Sequence, residues 1–267
     1  MTDDHGLDSP APTAEQAEHE AETRRHFWRN YLVHGIEGGL YMGGLAFIDP
    51  QTVLPPMVRT LGGAEWLIAM TPVLPLIGMS IIPPLMAHRI ERLTRVKRFV
   101  QIMGIFQRLP YLLAALVLIF AAKSYPMLAL AAVALTPFIS GLCISVHSSA
   151  WLELCARILP RERLASSWAI RAILQALLGL LAGVVIKEVL SERPGAEGYG
   201  VLHIIAFGFL ALSYAIFAFI RETQIPRKPP KKRRSLSESL RAMPGILRGD
   251  KRLRDFLGAR VAFAGRL

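Results

Sequence analysis

The sequence predicts an all-α membrane protein with six transmembrane helices and the start of a seventh. Apolar residues form 52% of the 267-residue chain, charged residues form 19%, and the mean hydropathy is +0.38. A soluble domain cannot hide that much apolar surface in one core. The apolar residues gather in six segments, each about as long as the roughly 20 residues that a helix needs to cross a bilayer. The segments between them are alternately rich and poor in basic residues, as in membrane proteins of fixed orientation.

The first 29 residues are predicted to be a disordered acidic tail. Seven acidic residues and two prolines lie within residues 1–26, where large apolar side chains are few. Such a composition cannot bury enough apolar surface to fold by itself. The tail also lacks the basic start and short apolar run of a signal peptide.

The six predicted spans occupy residues 30–220. The first span is the least uniform, because it contains Glu37 and Asp49, and the third and fifth each contain one arginine. Glycine and proline are frequent in the spans, which is typical of membrane helices. The predicted boundaries are 30–55, 66–87, 99–122, 126–150, 165–189 and 200–220.

Basic residues outside the spans fall mostly on one side of the predicted membrane. Twenty-three lie in the N-terminal flank, in the second and fourth loops and in residues 221–254, whereas the other side has four, which are Arg59, Lys123, Arg193 and, near the end of the fifth span, Lys187. Because lysine and arginine favour the cytoplasmic face, the sequence predicts a cytoplasmic N-terminus. The predicted location is the plasma membrane or the inner membrane, with the lipid bilayer as a partner. Trp66, Trp151 and Tyr125 are expected to lie at the membrane interfaces.

The last 47 residues divide into a basic loop and a short apolar segment. Residues 221–255 form the predicted cytoplasmic loop, whose run from Arg227 to Arg234 either contacts anionic lipid or is simply solvated. Tethering to a membrane helix argues against nucleic acid as a partner of this run. Residues 256–267 are too short to cross the membrane and are interpreted as the truncated start of a seventh helix. The expected partner is therefore a missing C-terminal half or, alternatively, a second six-helix copy.

Motifs of enzymes and metal sites are missing from the sequence. Cys143 and Cys155 lie twelve residues apart without a neighbouring His/Cys cluster, so they predict neither a zinc site nor a disulfide framework. No P-loop, Rossmann glycine pattern, HExxH or GxSxG motif occurs. We therefore expect no cofactor, no metal and no catalytic residues.

Two short motifs accompany this architecture. The second loop reads Pro84-Leu-Met-Ala-His88-Arg89-Ile-Glu91-Arg92, and the first span ends in Asp49-Pro-Gln-Thr-Val-Leu-Pro55. The first motif is similar to the G-x-x-x-D-R-x-G-R loop of major facilitator superfamily transporters, with both arginines at the right spacing. With six spans and a long basic loop, residues 27–267 resemble the N-terminal half of such a transporter.

This resemblance implies a fold, a function and several site residues. It implies a bundle built as a 3+3 inverted repeat, which moves a small solute by alternating access around a site near the midplane. It also implies that His88, Arg89 and Arg92 belong to a cytoplasmic gate loop. The glycine-proline signature of proton-driven antiporters is missing from the fifth span, which argues against a drug/proton antiporter.

Charged residues within the spans are the candidates for solute binding or coupling, because buried charges are costly unless they are paired or hydrated. The candidates are Glu37, Asp49, Arg108, Arg171 and Gln175. Glu37 lies at a depth compatible with both arginines, whereas Asp49 is about 120° away around the helix. Glu37 with Arg108 or Arg171 is predicted to form a charge network that responds to solute or proton. A structural salt bridge between packed helices is the alternative.

Two other classes of function remain open on the sequence. A lipid-modifying membrane enzyme would need a polar catalytic cluster at an interface, and the second loop is basic with Glu91 as its acid. A non-transporting membrane scaffold or receptor would need the buried charges for folding only. The transporter is preferred because it also accounts for the arginines of the second loop.

Overall fold

The computed structural model describes residues 14–81 and 95–222, together with a few single residues between 245 and 258. Within this part of the chain the protein is all-helical and has no strand. Eight α-helices and one short 3₁₀ helix follow one another in these residues. They are α1 (Ala14–Leu45), the 3₁₀ helix (Ala46–Ile48), α2 (Leu54–Thr60), α3 (Glu65–Met70), α4 (Leu74–Ile81), α5 (Val96–Phe120), α6 (Pro126–Ile158), α7 (Arg161–Glu192) and α8 (Ala196–Phe217).

Four helices of the described residues, α5 to α8, are long and apolar enough to cross a membrane. Their most apolar windows have mean hydropathies between 1.9 and 2.2, and many of their large apolar side chains are exposed. In water such a surface would favour aggregation, whereas lipid tails cover it without cost. The chain is therefore a membrane-embedded helical protein.

The segment predicted as the first span differs most from its prediction. Helix α1 begins at Ala14, so residues 14–29 are helical where a disordered tail was predicted. It ends at Leu45, ten residues before the predicted boundary, because Asp49 and Pro50 start a turn. The Asp49 carboxylate accepts hydrogen bonds from the backbone N–H groups of Gln51 and Thr52, both at 2.9 Å, and from the Thr52 hydroxyl at 3.0 Å.

The later boundaries are closer to the predictions, with one exception. Helix α6 begins at residue 126 as predicted but continues to Ile158, eight residues beyond the predicted end. The second predicted span begins as α3 and α4, with a turn at residues 71–73 between them. The rest of that span, the second loop up to residue 94, the tail before residue 14 and nearly all of the basic loop and the seventh-helix segment lie outside the described residues.

The helices pack in five main pairs. Helix α1 lies against α7 and α8, α6 lies against α4 and α5, and α5 also lies against α8. Lipid is as apolar as the helix surfaces, so membrane helices associate mainly through close van der Waals packing, which small residues permit. Gly78 of α4 and Gly141 of α6 meet in this way: a β-carbon on either would lie 2.3 Å from a backbone oxygen of the other helix.

The core has two apolar clusters with a polar layer between them. One cluster, around Phe47, Met57 and Leu202, joins the C-terminal end of α1 to α2, α5, α6 and α8. The other, around Leu154 and Phe217, joins the start of α5 to the ends of α6 and α8. Buried polar residues lie between the clusters along the same helices, and they are Glu37, Gln107, Arg108, Thr136, Ser140, Arg171 and Ser213.

Glu222 connects several helices at the end of the bundle that holds Lys97, Arg157 and Arg221, which we call the basic end. Its carboxylate accepts hydrogen bonds from the first N–H groups of α5, Val96 at 3.1 Å and Lys97 at 3.0 Å, and it pairs with Arg157 of α6 at 3.0 Å. An acid at a helix N-terminus satisfies amides that have no partner within the helix. On α1, Asn30 exchanges two hydrogen bonds with the backbone of Arg221. The segment after α8 thus ties together α1, α5 and α6.

Candidate functional site

Glu37 lies at the centre of the polar layer and contacts three other helices. Its Oε1 is 3.7 Å from Arg108 Nη2 of α5, and its Oε2 is 3.9 Å from Arg171 Nη1 of α7. Oε1 also accepts a hydrogen bond from the Ser213 hydroxyl of α8 at 3.2 Å. All three charged side chains are buried. Oε2 is itself buried and has no hydrogen-bond donor, so the carboxylate is held by attraction at a distance rather than by direct hydrogen bonds to the arginines.

Arg108 is held firmly in place. Its Nε donates to Leu210 O at 2.9 Å, its Nη1 donates to Gly104 O at 3.0 Å, and its Nη2 donates to the Ser213 hydroxyl at 3.2 Å. The guanidinium also faces the rings of Tyr41 and Tyr214, whose centroids are 5.1 and 5.4 Å away. Cation–π contacts of this kind stabilise a charge that has left water. The side chain therefore provides a fixed positive charge in the layer.

Arg171 is held by aromatic rings rather than by carbonyl groups. Its guanidinium lies 4.9 Å from the Trp151 ring centroid and 4.8 Å from that of Trp168. Its Nη1 lies 3.3 Å from His34 Nε2. Gly38 of α1 makes room for the guanidinium, because a β-carbon there would lie 2.0 Å from Arg171 Cζ. Any larger residue at position 38 would displace the arginine.

His34 extends this cluster towards α6 and α7. Its Nδ1 is 2.7 Å from the Ser167 hydroxyl, and its Nε2 is 3.4 Å from Cys155 Sγ. The imidazole also stacks on Trp151, with ring centroids 5.7 Å apart. Since Nε2 faces N–H and S–H donors, the geometry assigns the ring hydrogen to Nδ1 and the acceptor role to Nε2.

A cavity of about 580 Å³ borders these groups. This volume falls in the range of small-molecule sites, which is roughly 300–1,000 Å³. The two apolar clusters contribute to its wall, and the polar layer supplies Glu37, Arg108 and Arg171. Further lining residues come from α1, α4 and α6, among them Met42, Leu76, Met79, Ile144 and Leu152. The cavity thus combines apolar surface with a few convergent charged groups.

The chemistry of the layer is electrostatic. It contains two guanidinium groups and one carboxylate, so its formal charge is positive. Within the described residues, no group of three or more His, Cys, Asp or Glu side chains could hold a metal ion. The arrangement can attract a charged solute and can exchange ion-pair partners when one binds.

The structure brings together three of the five residues predicted for solute binding or coupling. Glu37 lies between Arg108 and Arg171, as the comparison of depths along the helices predicted. Asp49 forms the turn after α1 instead, and Gln175 is exposed on α7 and does not line the cavity. The three gate-loop candidates, His88, Arg89 and Arg92, lie outside the described residues. Trp151, which was predicted to lie at a membrane interface, contacts His34 and Arg171 inside the bundle.

Sequence reasoning missed several partners of the charged residues. Helical spacing could have found some of them, because His34 and Tyr41 lie three residues before and four residues after Glu37 and so share its face. In the same way Ser167 lies one turn before Arg171. Gln107, which donates to the Tyr41 hydroxyl, gave no such signal.

Comparison with protein-family models, with curated proteins and with solved structures finds no match to this chain.

Glycines of α1 control how closely α7 approaches the site. A β-carbon on Gly39 would lie 2.6 Å from Leu174 Cβ, so Gly39→Ala is expected to push the helices apart. Overpacking of this kind costs about 1–3 kcal/mol, measured as the free energy of unfolding in mixed micelles. Gly183→Ala on α7 is the matched control, since nothing lies within 4 Å of its added methyl group. Equal stability of the two variants would contradict close α1–α7 packing.

Proposed function

We propose that the chain is a six-helix bundle of a secondary transporter of the major facilitator type, which moves a small solute by alternating access. The observation that carries this proposal is the charged layer of Glu37, Arg108 and Arg171 beside the 580 Å³ cavity. Ionisable groups inside a membrane bundle are costly, and they mark solute or ion pathways by default. In this proposal the charge network responds to the bound solute or to a proton.

The helix pairs support a 3+3 inverted repeat. Let the six spans be α1, α3–α4, α5, α6, α7 and α8, and exchange the first three with the last three. The pair α1–α7 then becomes α6–α4, the pair α1–α8 becomes α6–α5, and α5–α8 becomes itself. The five main pairs are thus the same set after the exchange, as expected for two repeats related by a two-fold axis.

The proposed orientation places the basic end in the cytoplasm of a plasma or inner membrane. Cysteine labelling tests it in a variant without Cys143 and Cys155. With a membrane-impermeant maleimide added outside, Gln51→Cys is expected to react and Arg161→Cys is not. Both positions are exposed in the bundle, so each reports on its side of the membrane. The reverse pattern of labelling would overturn the proposed orientation.

A second bundle is the proposed partner, because rocking needs two bundles around one site. It is either a C-terminal half encoded after Leu267 or a second copy of this bundle. Reading the gene beyond the Leu267 codon separates these two forms. A continued frame of about 150 or more residues with further apolar segments of about 20 residues supports the first form. A stop codon makes dimerisation the first requirement for transport.

The transport function is tested by exchange of labelled solutes. The protein from the complete reading frame is placed in liposomes preloaded with a sugar, an amino acid, an organic anion or an organic cation. A transporter is expected to exchange at least one class saturably, whereas a scaffold, a receptor or a lipid-modifying enzyme exchanges none. Failure of all four classes, with folded protein in the liposomes, would contradict the proposal.

A further inference from the structure

We propose that the cavity binds an organic monoanion with an apolar body, and that Arg171 receives its anionic group. This inference rests on the proposed function, because it takes the cavity to be the solute site. The charge count favours an anion: the layer holds two guanidinium groups and one carboxylate, so a single negative charge on the ligand would balance it.

The two arginines differ in how many of their guanidinium N–H groups are free to bind a ligand. Arg108 donates three hydrogen bonds to protein oxygens. Among the described residues, Arg171 has one hydrogen-bonding contact, its Nη1 to His34 Nε2 at 3.3 Å, and its distance to Glu37 is 3.9 Å. Yet Arg171 is only 8% exposed. Its other guanidinium nitrogens are not among the fully buried atoms that lack a partner, and the side chain lines the cavity, so an acceptor on a ligand in the cavity can bind them.

The surroundings of Arg171 define the shape of that acceptor. Trp151 and Trp168 cover the guanidinium at 4.9 and 4.8 Å from their ring centroids, so a ligand has to approach the N–H edges. A planar carboxylate matches two such N–H groups at once. Glu37 repels a second negative charge at this position, which favours a monoanion.

The remaining cavity wall defines the body of the ligand. Met42 of α1, Leu76 and Met79 of α4, and Ile144 and Leu152 of α6 line it. Sulfur-containing and branched side chains adapt to an aromatic or aliphatic group. With the anionic group at Arg171, the apolar part of the ligand therefore lies against α4 and α6.

The test compares three probes that differ in charge at one end. They are para-fluorohippurate, its neutral primary amide, and the cation N-(2-aminoethyl)-para-fluorobenzamide. Binding to the purified full chain in detergent micelles is measured by fluorine NMR. The anion is expected to bind at least about tenfold more tightly than the other two probes, since hydrogen bonds to charged groups contribute most to affinity. Equal binding of anion and amide, tighter binding of the cation, or no binding of the anion would overturn the inference.

Variants assign the anion site to Arg171. Arg171→Gln is expected to weaken para-fluorohippurate binding at least about tenfold, whereas Arg193→Gln at an exposed position of the loop after α7 leaves it unchanged. If Arg171→Gln does not fold, para-fluorohippurate binding to the Glu37→Gln variant is measured instead. Removing the neighbouring negative charge is expected to tighten anion binding about threefold or more. Unchanged binding in folded Arg171→Gln, or weaker binding in Glu37→Gln, would contradict the assignment.

These outcomes are distinct from those of the transport test. Anion-selective binding without exchange in liposomes would keep the site and reject the transporter. Exchange of a sugar or a cation, with no preference for the anion in micelles, would keep the transporter and reject the anion site.

Discussion

Glu37→Gln is expected to abolish solute transport while the protein still accumulates in the membrane at its normal level. Glutamine has nearly the same shape as glutamate, so the helices can still pack around it. It removes the one carboxylate that lies between Arg108 and Arg171, and with it the ion-pair exchange by which the network would respond to solute. The measurement is uptake into liposomes of the solute that the unaltered protein carries, together with the yield of folded protein.

Glu188→Gln is the control for this variant, because Glu188 is an exposed acid on α7 far along the helix from Arg171. It is expected to transport at the normal rate. Normal uptake by Glu37→Gln would reject the charge network as part of the mechanism and leave it as a structural salt bridge. Tight anion binding together with lost transport in Glu37→Gln would fit the account, since binding and switching are separate steps.

Arg108→Gln is expected to cause the largest loss of stability, about 3–5 kcal/mol. The substitution removes three hydrogen bonds and the contacts with Tyr41 and Tyr214. It leaves the buried Glu37 carboxylate with the distant Arg171 and the Ser213 hydroxyl. The free energy of unfolding in mixed micelles measures the loss. Arg193→Gln breaks an ion pair whose side chains are 54% and 53% exposed, and its expected cost is below about 1 kcal/mol.

The double variant Arg108→Gln with Glu37→Gln identifies the cause of that loss. If an unbalanced buried charge dominates, neutralising Glu37 as well recovers part of the stability lost by Arg108→Gln. If the two losses simply add, Arg108 acts through its packing and its hydrogen bonds to Leu210, Gly104 and Ser213, and the electrostatic account of the layer is wrong.

The sequence predicted the long apolar helices well and the first span poorly. Helices α5, α7 and α8 lie within four residues of their predicted ends, because hydropathy changes sharply at their boundaries. Helix α1 has no such boundary at its start. Its polar N-terminal part, predicted to be disordered, is helical from residue 14, and Phe27 there packs against the cluster around Leu154, as does Tyr31 just beyond it. Tertiary contacts of this kind are invisible to a composition argument.

The site was predictable in part for a similar physical reason. Depth along a helix follows from residue count, so the sequence alone matches Glu37 with Arg108 and Arg171. Rotation of one helix against another does not follow from the sequence. The contacts of Trp151 with His34 and Arg171 and the exposure of Gln175, one turn from Arg171, both depend on that rotation.

Accessibility of the cavity from the two sides of the membrane tests the central claim most directly. Met42 lines the cavity and is 37% exposed. A cysteine introduced by Met42→Cys, in the protein without Cys143 and Cys155, therefore reports whether a reagent can reach the cavity. A membrane-impermeant maleimide is added to one side or the other of vesicles that hold the protein from the complete reading frame. Alternating access predicts labelling from both sides, with rates that change when the transported solute is present. Labelling from one side only, unaffected by solute, would contradict the transporter.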